Sequence, residues 1–192
     1  MIAADLAVEW IRQECADQGA CGLLVLNAFG VEQQIPSLGR FAAEHAVTTP
    51  GAARDRVAPG VGPVLAYAPV EKTLDFATDL ARGSSLAIVE SVHGFSLEGW
   101  ARQLGAIDLT RPDEHPEPIA PALVKAIDRL DFYKDNGFGD QFGKQQARRI
   151  LQDLYDAGLL ERNVILGALA AKEASSRALR NLSKLIDELD PS

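Results

Sequence analysis

Three nearly unbroken apolar runs constrain this chain more than anything else in it: residues 22–28 (GLLVLNA), 63–68 (PVLAYA) and 85–90 (SLAIVE). A strand with one wet face alternates apolar and polar residues, whereas a strand buried on both faces does not. Continuous runs of this length bounded by Gly and Pro therefore predict central strands of a parallel sheet. Between and around them lie segments of helical period. Residues 3–18 place Leu6, Trp10 and Cys15 (or Val8 and Ile11) on a stripe that Gly19 ends, and Pro36 and Ser37 open a helix through Leu38, Phe41 and Ala42. Residues 71–82 bury Leu74, Ala77, Leu80 and Ala81 and are closed by Gly83. Ser96 caps a helix that carries Leu97, Trp100, Ala101 and Leu104 and ends at Gly105. Residues 46–49 and 106–109 are expected as short further strands. The whole pattern is α/β: a three-layer parallel sheet of about four to five strands with covering helices.

After residue 110 the texture changes. The Pro-rich stretch 111–121 reads as a linker between a parallel α/β domain over 1–110 and a helical region over 122–192. Helices are expected at 120–134, 144–157, 162–171 and 175–189, and no strand is suggested there. Formal net charge is -8, and it is uneven. Residues 1–139 hold 11 Lys and Arg against 19 Asp and Glu, while residues 140–192 hold 8 of each. An acidic balance argues against a broad polyanion binder but leaves room for a local basic patch. Cys15 and Cys21 lack the further ligands a zinc site needs and read as a buried helix residue and a strand entry. The apolar runs are far short of a membrane span, and the first residues form an amphipathic helix rather than a secretion signal, so a cytoplasmic location without membrane contact is expected.

Open α/β sheets bind ligands beyond the carboxyl ends of their strands. The residues expected there form a candidate ligand-binding rim: Asn27, Tyr67, Glu90, His93 and Asp108. Glu90 and Asp108, as two carboxylates at neighbouring strand ends, would be the ligands of a Mg²⁺ ion if one is bound; otherwise no cofactor is expected. His45, His93 and His115 match no metal or catalytic spacing. No glycine fingerprint for a dinucleotide follows a strand, since Gly60 and Gly62 precede one, and no G-x-S-x-G elbow is present.

The string 137–145 (GFGDQFGKQ) suggests a phosphate loop because Gly143-Lys144 opens a helix. However, Phe138 stands where a glycine is needed, Gln145 replaces the metal-binding hydroxyl, and a helix precedes it. It reads as a glycine-permitted turn with Phe138 and Phe142 packed inside. In the alternative, Lys144, Arg148 and the N–H groups of the helix start receive a phosphate. Helices 162–171 and 175–189, joined at Lys172–Ser175, resemble a helix-turn-helix in length only. Glu173, Arg177, Arg180 and Lys184 recur at spacings of three and four, as either a solvated salt-bridged face or a nucleic-acid contact surface. Lys144, Arg148, Arg177, Arg180 and Lys184 together are the candidate phosphate or nucleic-acid contacts.

Residues 63–90 resemble the strand–helix–strand opening of the second motor lobe of helicases. The arginine-finger helix and the first lobe of that family have no counterpart here, so the resemblance implies a lobe that could bind ATP but not hydrolyse it. Ala87-Ile-Val-Glu90 is also similar to the glutamate-bearing strand of the toprim fold, which adds an Asp-x-Asp where this chain offers Asp108. The function expected is a non-catalytic binding or regulatory module that recognises a nucleotide or a nucleic acid, with a nucleic acid or another protein as partner. The alternative is a small Mg²⁺-dependent hydrolase or phosphoryl-transfer enzyme using Glu90 and Asp108.

Overall fold

The computed structural model describes residues 3–52, 62–91 and 95–190. The chain forms two compact units: residues 1–95 with 109–111, and residues 96–108 with 112–192.

In the first unit the order is α1 (Ala3–Gln18), β1 (Leu23–Val25), α2 (Pro36–Glu44), β2 (Ala46–Thr48), β3 (Val64–Tyr67), α3 (Glu71–Leu80) and β4 (Leu86–Val89). The strands make one all-parallel sheet in the order β2-β1-β3-β4. Leu24 stands opposite Val47 on one side and Leu65 on the other, and Leu65 opposite Ala87. The continuous apolar runs now have their cause. Leu24, Leu26, Leu65, Ala87 and Val89 meet α1 and α2 through Ala4, Ala7, Val8, Ile11, Leu38 and Phe41. Alternate residues Leu23, Val25, Val64, Ala66, Leu86 and Ile88 meet α3 through Phe76, Ala77 and Leu80. Each large side chain so buried contributes on the order of 1.5–3 kcal/mol. This is the three-layer α/β arrangement expected.

Among the described residues the sheet has four strands. Residues 106–109, expected as a strand, are irregular. Gly105 ends the preceding helix in a left-handed conformation at φ 63°, and Leu109 alone packs against the first core as a loop residue. Phe41 is fully buried, and a Cβ on Gly22 would come 2.7 Å from its ring, so glycine at 22 is a packing requirement.

The second unit holds α4 (Glu98–Leu104), α5 (Pro121–Phe132), α6 (Gln141–Asp156), α7 (Arg162–Ala171) and α8 (Ser176–Leu189). Val164 to Leu169 of α7 are buried without a break, the mark of a helix enclosed by others. Where α4 crosses α7, a Cβ on Gly99 would lie 2.0 Å from the Val164 carbonyl oxygen, and one on Gly167 would lie 2.6 Å from the Trp100 nitrogen. The two backbones touch, which only glycine permits. The contact also explains why α4, which follows a sheet strand in sequence, joins the helical unit.

Helix α6 starts at Gln141, three residues before the expected 144, because the Asp140 carboxylate accepts from the Gly143 N–H at 2.5 Å and caps it. That phase turns Ala147, Ile150, Leu151 and Leu154 inward. It turns Phe142 outward, 62% exposed, contrary to the expectation that it packs inside; Phe138 is buried. No helix among the described residues is long and apolar enough to cross a membrane.

Candidate functional site

Two places in the chain gather polar groups: the carboxyl ends of the strands in the first unit, and the outer face of α8 in the second.

The sheet reverses direction of growth at β1. The chain first adds β2 on one side and then β3 on the other, and the gap between β1 and β3 is where such sheets accept ligands. Asn27 spans that gap. Its Nδ2 donates to the Ala68 carbonyl at 2.7 Å, and its Oδ1 accepts from the Val70 N–H at 3.2 Å. The clamp holds Ala68 at φ 47°, an uncommon conformation for a residue with a side chain. Asn27 therefore ties two loops together, and it engages the backbone groups that a ligand at this point would need. Tyr67 ends β3 half-buried against the first core. Glu90 follows β4 and is exposed. His93 lies outside the described residues. Asp108 belongs to the other compact unit and sits in a loop rather than at a strand end. Glu90 and Asp108 are each engaged by other groups. Among the described residues no group of three or more His, Cys, Asp and Glu is placed to hold a metal ion.

The second place is built by the turn Lys172–Ser175 between α7 and α8. Glu173 there is left-handed at φ 61°, and the Ala174 N–H donates back to the Leu169 carbonyl at 2.9 Å. This is a helix stop normally written with glycine. Lys134 closes the turn from outside by donating to the Lys172 carbonyl and to Asp131. Ala174 is buried, and Ser175 then caps α8 by accepting from the Ala178 N–H at 3.2 Å. Ala178, Leu179, Leu182, Leu185 and Ile186 face the core.

On the opposite face, Arg177, Arg180 and Lys184 are exposed, and no hydrogen bond or ion pair engages them among the described residues. Glu173 sits in the turn, so it is not the first member of their helical row. From Ser176 to Ile186 the helix carries no carboxylate. The two that follow are committed: Asp187 to Arg162 at 3.1 Å, and Glu188 to Arg148. The Arg148 hydrogen bond is the main cause holding the Glu188 carboxyl below its ordinary value. Desolvation opposes it, and the charges of Arg148 and Lys144 assist to a lesser degree. Arg148 is thus spent on an internal pair. The start of α6, where the alternative reading has a phosphate meet Lys144 and Arg148, already holds the Asp140 carboxylate.

Sequence reasoning missed what lies beneath Arg177. A Cβ on Gly137 would come 3.4 Å from its Cγ, and a Cβ on Gly139 would come 3.0 Å from its Nη2. The Asn181 amide donates to the Gly137 carbonyl at 2.8 Å and fixes the same loop to α8. The glycine-rich string is a seat for an arginine from another helix. The only signal for it in the sequence was the glycine spacing itself.

No family model, curated protein or solved structure matches the chain.

Proposed function

We propose that this protein is a non-catalytic nucleic-acid-binding module that makes contact through α8. The observation that carries the reading is the charge arrangement along that helix. Three cations stand on one exposed line with no carboxylate between Ser176 and Ile186, and the two carboxylates beyond are bound to Arg162 and Arg148. In a protein of net charge -8, an unneutralised cationic line is a local exception. Two helices joined by a short turn, with the second presenting basic side chains, form the arrangement by which helix-turn-helix proteins approach nucleic acid. The α7–turn–α8 segment has that order. The Mg²⁺-dependent reading has less support, because Asp108 lies in a loop and not at a strand end.

An electrophoretic mobility assay at low salt with duplex DNA, single-stranded DNA and RNA tests the reading. The folded protein is expected to retard at least one of them, and simultaneous replacement of Arg177, Arg180 and Lys184 by Ala should weaken the shift. Absence of any shift would leave α8 a solvated face and favour a protein partner.

A further inference from the structure

We propose that the partner of α8 is duplex DNA, with Arg180 reading a base edge in the major groove and Arg177, seated on Gly137 and Gly139, fixing a backbone phosphate. The inference rests on the nucleic-acid reading above and assigns the class of nucleic acid and the role of each arginine.

The class follows from what the helix displays. Proteins that hold single strands stack the bases on aromatic side chains. Helix α8 has no aromatic residue from Ser176 to Leu189. Of the exposed aromatics of this unit, Phe132 and Phe142 flank the half-buried Tyr133 beside the loop, and Tyr155 stands near the end of α6; none of them is on α8. A regular helix with polar and cationic residues on its outer line instead suits the major groove of B-form DNA, whose width of about 12 Å admits one α-helix. The deep, narrow major groove of an RNA duplex does not.

The roles follow from the seat. Arg177 stands at the first turn of α8, and its methylene stem is laid against Gly137 with its guanidinium beside Gly139. The side chain lies on the side of that line nearest the flanking loop. With α8 in a groove, that flank meets the groove wall, which is sugar and phosphate. A held guanidinium loses little freedom on gripping a phosphate, and such contacts set register without reading sequence. Arg180 stands three residues on, exposed and with no partner among the described residues. Its planar fork matches the two acceptors of guanine. Asn181, the other amide in reach, is already committed to the Gly137 carbonyl. Gly137 and Gly139 are then positioning residues, and the string that suggested a phosphate loop serves phosphate binding at one remove.

Selection from a randomised duplex DNA pool with the full chain, followed by affinity measurements across salt concentrations, tests this. The wild type is expected to enrich a guanine-containing site and to prefer duplex over single-stranded DNA and RNA. Arg180→Ala should lose preference at one position by roughly ten- to a hundredfold, with the salt slope little changed. Arg177→Ala and Gly139→Val should weaken binding to all sequences alike and reduce the salt slope by about one. If circular dichroism shows Gly139→Val unfolded, Gly139→Ala and Arg177→Ala carry the test. Equal or tighter binding to single strands would overturn the inference while leaving the nucleic-acid reading in place, and no binding to any probe would remove both. An even loss of affinity in Arg180→Ala, or an altered site preference in Arg177→Ala, would overturn the division of roles.

Discussion

Arg148 and Glu188 show how a residue marked by its charge can be spent inside the protein. Arg148 belongs to the basic set that the sequence suggests for phosphate contact, yet it closes on Glu188 and lowers that carboxyl below its ordinary value. The sign of the pH effect follows from the direction. A carboxyl depressed in the folded state adds stability above its unfolded value and loses it as pH falls through its folded value. Both partners are about half exposed, so solvent screening keeps the contribution small. Arg148→Gln should therefore raise the Glu188 value back toward the ordinary carboxylate range in an NMR titration, with little change in thermal stability. A Glu188 value unchanged by the substitution would show that the pair is not formed in solution. Asn27 offers the parallel lesson at the sheet. It was legible as a rim residue because it follows a strand. Its role as a clamp on Ala68 and Val70 depends on a partner loop 41 and 43 residues away, which no local pattern encodes.

Among elements, the strands and most helices were legible because burial on two faces and a single apolar stripe each leave a periodic mark. Runs 22–28, 63–68 and 85–90 became β1, β3 and β4, parallel as expected, but β4 lies at the edge of the sheet with Leu86 and Ile88 only partly buried, not in its centre. The misreadings have local causes. A cap by Asp140 set the phase of α6 and turned Phe142 out, and a left-handed Glu173 took the place of the glycine that usually announces a helix end. The assignment of α4 to the helical unit depends on Gly99 and Gly167, which in sequence look only like weak points in two helices. Alanine at an exposed helix glycine gains about 1 kcal/mol in propensity. At Gly99 the new methyl would stand 2.0 Å from the Val164 carbonyl oxygen, so packing decides the sign. Gly99→Ala should destabilise the protein by about 1–3 kcal/mol or more in chemical denaturation. A neutral or stabilising result would mean that the α4–α7 contact is looser than described.

At the scale of the molecule, charge is divided along the chain. The first 139 residues carry the whole net charge of -8, and the last 53 are neutral by count, yet those 53 still place an acid-free cationic line on α8. Composition alone argues against a polyanion partner, because a sum over residues cannot see which carboxylates are consumed by Arg148 and Arg162. That local line is the basis for the central claim, and counterion release is its most direct readout. Affinity for duplex DNA measured across a range of salt concentrations should fall linearly on a double-logarithmic plot for the wild type. Replacing Arg177, Arg180 and Lys184 together by Ala should weaken binding and flatten that slope by at least the roughly one unit that a single phosphate contact contributes. Equal affinity and equal slope for wild type and variant, both folded, would contradict the account.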